Sequence, residues 1–133
     1  MQHMPRRLIE MTREESLRRL AGVPFGRIVF TEHALPAIRP VNHIVDDGVV
    51  IVRTHLGAGV RNGKSVVVAY EADDIDPGEH LGWSVIVTGH ASLVRNRAET
   101  TRYEELLRPW VNGVESDFIR IEPELVTGYE LAE

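Results

Sequence analysis

The chain of 133 residues contains no cysteine. Disulfide frameworks, thiolate nucleophiles and cysteine-ligated metals are therefore excluded. Lys and Arg number 15 against 20 Asp and Glu, with no basic block, and the formal net charge of -5 argues against nucleic acid as a partner. No apolar run approaches the ~20 residues of a membrane-spanning helix, and the N-terminus lacks a signal-peptide core. With cysteine absent as well, a cytoplasmic protein is the expectation. The six histidines, His3, His33, His43, His55, His80 and His90, lack metal-ligand spacing. The acidic run over 73–79 lacks the regular ligand order of a calcium loop. No metal site is expected.

What is present is 43% apolar and 26% charged residues, the composition of one soluble globular domain spanning 1–133, with residues 1–11 expected as a flexible end. Thr12 and Glu15 form a capping box, and Leu17, Leu20 and Ala21 share one face of the helix that follows, which Gly22 and Pro24 stop. Gly26 to Thr31 reads as a strand. Ile38–Val45 and Val49–Thr54 flank Asp46-Asp47-Gly48 and read as a hairpin, since Gly after Asp supplies positive φ. The β-branched run from Ser65 to Ala72 is expected as a strand buried on both faces. Gly82 to Val94 is a long strand in which Gly89 marks a bulge or a barrel corner. Asn96 and Glu99 repeat the capping-box spacing before a helix over Arg97–Leu107, and two short strands, Phe118–Glu122 and Leu125–Leu131, close the chain. The sum is a mainly β domain: two helices and six to seven antiparallel strands, joined by short turns into a small barrel.

Groups able to do chemistry gather at the outer ends of the hairpin: Arg39 and Asn42 on its first strand, Arg53 and Thr54 at the end of its second. Gly57, Gly59, Arg61 and Lys64 follow. Glycines let backbone N–H groups approach a ligand closely and Arg grips phosphate bidentately, so this is a candidate phosphate cradle; the alternative is an ordinary surface hairpin.

The order of Gly26-Arg27-Ile28-Val29-Phe30, Arg39-Pro40-Val41-Asn42, Asp47-Gly48, Arg53-Thr54, Val68-Ala69-Tyr70-Glu71, Gly82-Trp83-Ser84-Val85, Thr88-Gly89, Pro109-Trp110, Ile119-Arg120-Ile121-Glu122-Pro123 and Val126-Thr127-Gly128 resembles the flavin-binding split barrels, the pyridoxamine 5′-phosphate oxidase-like proteins, in their short bacterial-type branch. The likeness runs from about Thr12 to Leu131. It implies a homodimer with FMN, or a deazaflavin, at the interface, and oxidoreductase activity on a small molecule. By the same resemblance Arg39, Pro40, Val41 and Asn42 lie along the ring and ribityl chain, Arg53 and Thr54 approach the phosphate, and Trp83, Ser84 and Trp110 come from the partner. No catalytic residue is implied, because the cofactor carries the electron chemistry.

One place departs from the family. Its phosphate-gripping Lys falls where this chain has Gly59 or Val60, so Arg61 or Lys64 is the expected substitute. A flavin-binding protein without turnover, or a split-barrel dimer that has lost its cofactor, is the alternative. The added segment that helps the true oxidases bind their substrate has no counterpart here, so vitamin B6 oxidation is not the expected activity.

Overall fold

Two tight turns start the sheet. Positive φ at His33 (53°) and Ala34 (62°), and again at Asp47 (51°) and Gly48 (78°), gives each turn the twist that matches flanking antiparallel strands. The chain thus runs through β2 (Phe25–Glu32), β3 (Leu35–Asp46) and β4 (Val49–Thr54) as a meander. Strand β3 starts three residues before the expected Ile38, because the His33-Ala34 turn brings Leu35 opposite Glu32. The structure, a computed structural model, describes residues 7–56, 60, 62–109 and 116–133. The remaining elements are β1 (Arg7–Met11), α1 (Arg13–Ala21), β5 (Val66–Ile75), β6 (Gly82–Leu93), α2 (Arg97–Leu106), β7 (Asp117–Ile121) and β8 (Leu125–Ala132).

Strand order is β1-β8-β6-β5-β2-β3-β4-β7, and a further β6–β7 pairing closes six strands into a ring. Strand β6 achieves this by changing partner. Gly82 to Thr88 pair with β8, whereas Ala91 to Leu93 pair with β7. Gly89 lies between the two stretches, and a Cβ there would sit 1.7 Å from the Glu122 carbonyl oxygen. The corner expected at Gly89 is thus a close crossing of backbones, with the Glu122 N–H donating to the His90 carbonyl at 3.0 Å.

Three expectations change. Among the described residues the strands number eight, against the six to seven expected, and six of them form the closed ring. Part of the added count is β1, in the stretch expected to be a flexible end, which pairs with β8 from Arg7 opposite Ala132 to Met11 opposite Gly128. Backbone pairing to an open edge holds it rather than apolar burial, since Leu8 stays exposed. The strand buried on both faces is β4, not β5. Val50 and Val52 enter the barrel core, while Ile51 packs outward with Tyr103, Leu107 and Phe118 beneath α2. In β5, Val68, Tyr70 and Ala72 point inward but Val67 is 59% exposed. Its apolar run reflects a central position between β2 and β6, with no helix among the described residues over its outer side.

Both helices start as expected. The Thr12 hydroxyl accepts from the Glu15 N–H at 3.1 Å, and the Asn96 side-chain oxygen accepts from the Glu99 N–H at 3.0 Å. The Tyr103 hydroxyl and Arg102 each donate to Asp46 at 2.6 Å, tying α2 to the β3–β4 turn. These bonds hold the Asp46 carboxyl below the usual carboxylate range, that from Tyr103 most of all. Among the described residues no helix is long and apolar enough to cross a membrane.

Candidate functional site

Side chains alternate across a strand, and that rule sorts the candidate residues. Arg39 stands opposite Ile28, which is fully buried in the barrel. Its side chain therefore follows the barrel-facing side of β3, where it is half-buried. The guanidinium carbon lies 5.1 Å from the centre of the Phe30 ring. Nη1 donates to the Thr54 hydroxyl at 3.3 Å and to the His55 carbonyl. Thr54 is the last residue of β4 and is buried, and Asp117 pairs across from it on β7. The Asp117 carboxylate is 3.9 Å from His55 Nδ1. One end of the barrel thus gathers a guanidinium, a buried hydroxyl and an imidazole around the exit of β4.

Arg53 goes the other way. Adjacent to Thr54 on the same strand, it faces outward toward α2. Its guanidinium lies 4.8 Å from the centre of the Phe118 ring; Nη1 donates to the Leu107 carbonyl at 2.7 Å and Nε to the Ser116 hydroxyl at 2.9 Å. Leu107 caps the C-terminus of α2, so Arg53 ties the end of that helix to the residue before β7.

The other candidates diverge as well. Pro40 is exposed on the outer face and Val41 is buried in the barrel core. Asn42 donates to the Arg108 carbonyl at 2.8 Å and borders a cleft of about 790 Å³ between the α1–β2 connection and the end of α2. Trp83 packs into the barrel core, Ser84 is half-buried on the outer face, and Lys64 is exposed. Gly57, Gly59, Arg61 and Trp110 lie outside the described residues. The structure therefore brings Arg39 and Thr54 together and sends Arg53 elsewhere.

One buried polar pair escaped the sequence reading. His43, on the cleft floor, places Nε2 2.8 Å from the Leu20 carbonyl and Nδ1 in hydrogen-bond contact with the Tyr70 hydroxyl. A carbonyl can only accept, so Nε2 carries the proton and Nδ1 accepts from Tyr70. Burial holds the His43 pKa below its ordinary value and pushes that of Tyr70 up, so both are neutral. No local sequence signal joins two residues 27 positions apart. Among the described residues no group of three or more His, Cys, Asp or Glu could hold a metal ion.

Comparison with known proteins agrees with this architecture. The family described as Pyridoxamine 5′-phosphate oxidase matches residues 12–130. An uncharacterized protein of Mycobacterium tuberculosis, Rv0080, is 52% identical over 132 residues, covering 95% of this chain and 87% of that one. A solved structure from Corynebacterium glutamicum, provisionally assigned as a pyridoxamine 5′-phosphate oxidase, is 32% identical with a TM-score of 0.79, covering 96% of this chain and 100% of that one. An FAD binding protein from Mycobacterium smegmatis is 32% identical with a TM-score of 0.72, covering 93% of this chain and 98% of that one. With its family pattern matched from the first helix cap to the last strand and its strands closed into the same barrel, this chain belongs to the pyridoxamine 5′-phosphate oxidase family.

Proposed function

We propose that this protein binds a flavin, with the cofactor's anionic tail at Arg39 and Thr54, and that it acts as a homodimeric oxidoreductase on a small molecule. The observation that carries the reading is the Arg39 guanidinium, half-buried at the barrel end over Phe30 and beside the Thr54 hydroxyl. Only Nη1 of that guanidinium is hydrogen-bonded among the described residues, so Nε and Nη2 keep donors for an incoming oxyanion. A phosphate needs such a set: a positioned fork beside a hydroxyl. The residues present fit it. The similarity to the mycobacterial FAD binding protein supports a flavin in general; FMN is the form favoured here, a deazaflavin the alternative.

In this reading Arg39 neutralises the tail, Thr54 and the strand end orient it, and Arg53 stiffens β4 from behind by holding α2 in place. A bound flavin supplies hydride or electron transfer, which is why no side chain is assigned as acid or base. Acid extraction of the purified protein tests the cofactor: a released flavin or deazaflavin chromophore is expected. Protein that releases none, and that binds neither when titrated, is a split barrel without cofactor.

A further inference from the structure

Among the described residues, no helix covers the outer side of β2, β5, β6 and β8 along one row. Register places Ile38, Val29, Ala69, Thr88 and Leu125 in a single row across β3, β2, β5, β6 and β8. The row carries no charge, and at its two ends Ile38 and Leu125 are 68% and 59% exposed. Five strands at ~4.8 Å spacing make it about 19 Å long. The next row contains Arg27 opposite Glu71, then Ile86. Asp73 follows Glu71 on the same side of β5. Arg27 Nη1 lies 3.2 Å from Glu71 and 3.7 Å from Asp73. One cation thus serves two carboxylates at the border of an apolar stripe.

We propose that a second copy of this chain docks on this face and that docking takes up a proton at the Glu71–Asp73 carboxylate pair in each copy. The proposal rests on the homodimer reading and adds its control. Both signs of charge border the stripe, so a two-fold mate presenting the same surface can set Arg27 against carboxylates. The net charge of -5 disfavours an anionic membrane or a nucleic acid as occupant. Covering the cluster removes it from water while one negative charge per copy stays uncompensated, which is costly. Protonation removes that charge.

The groups facing Glu71 are few. Arg27 stands on β2 and Asp73 on β5; β6 presents Ile86 and Ser84, β3 presents Pro40, and β8 presents Thr127 and, opposite Ser84, Tyr129. Already in the single chain, burial and then the Asp73 carboxyl raise the Glu71 pKa to about 7. Docking raises it further, so association is strongest below that value and weakens as pH rises through it.

Sedimentation of fluorescently labelled protein, from nanomolar to micromolar, gives the dimer Kd across about pH 6 to 9. The parent is expected to weaken at least about tenfold over the upper part of that range, following the linked proton uptake. Glu71→Gln should show a flat profile and bind more tightly than the parent at the alkaline end. Ile38→Glu should be monomeric throughout. A parent dimer insensitive to pH, including one that never dissociates, overturns the proton coupling and leaves the homodimer standing. A slope that survives in Glu71→Gln does the same. Pairing unaffected by Ile38→Glu overturns the choice of face. A monomer at every pH defeats the homodimer reading itself.

Discussion

His43 and Tyr70, buried on neighbouring sides of the barrel, share one hydrogen bond, and the other ring nitrogen of His43 holds the last turn of α1 through Leu20. The backbone N–H of His43 also donates to the Pro24 carbonyl at 3.1 Å. The α1–β2 connection therefore hangs on this residue. Removing the hydroxyl leaves Nδ1 buried without a donor. Tyr70→Phe should cost about 1–3 kcal/mol, read as an earlier urea midpoint at unchanged slope. An unchanged midpoint would show that the bond contributes nothing net.

The same histidine gives a pH dependence with a definite sign. Its folded pKa lies below the ordinary 6.5 because burial penalises the imidazolium. Between the folded and unfolded values the unfolded chain binds more protons, so stability falls as pH drops below about 6.5 and is unaffected by His43 above it. Denaturant melts of the parent and of His43→Gln should differ in slope on the acid side, by at most one proton, with the parent losing stability faster as pH falls. Parallel profiles would place the acid sensitivity elsewhere.

Arg53 should matter for folding more than for binding. Its bonds to Leu107 and Ser116 and its place over Phe118 make it a clasp on α2. Arg53→Ala should lose about 1.5–3 kcal/mol of stability, and Arg53→Lys should regain little, because a point charge cannot reproduce the two-bond fork. A melting temperature equal to the parent's would contradict this.

The two faces of β5 predict opposite outcomes for adjacent substitutions. Val68 is 2% exposed and Val67 is 59% exposed. Val68→Asp buries an unpaired charge and should prevent folding, whereas Val67→Asp should leave the protomer within about 0.5 kcal/mol of the parent. Circular dichroism melts separate them; equal damage would mean that both faces are covered in the protomer.

Local chemistry in the sequence is repeated in the structure wherever one residue type has one use. Thr12–Glu15 and Asn96–Glu99 cap helices, Asp47-Gly48 turns a hairpin, and Gly89 marks the crossing where β6 changes partner. The positive φ of the His33-Ala34 turn is not legible, since Ala34 does not favour it and pairing of the flanking strands imposes it. β1 was invisible because what holds it is an edge offered by β8, more than a hundred residues away. At the site, alternation alone separates Arg53 from Thr54: neighbours on a strand cannot face one ligand. That Thr54 meets Arg39 follows from the β3–β4 hairpin, whose Asp47-Gly48 turn sets the register and is legible in the sequence.

In the proposed function Arg39, with Thr54, holds the phosphate of a flavin. Titrating the parent and Arg39→Ala with FMN and with riboflavin, which lacks the phosphate, tests it most directly. Loss of a charge-assisted contact of roughly 1.5–3 kcal/mol weakens FMN binding by about ten- to a hundredfold, with riboflavin affinity unchanged. Equal FMN affinity in the two proteins, or an equal loss for both ligands, would contradict the assignment.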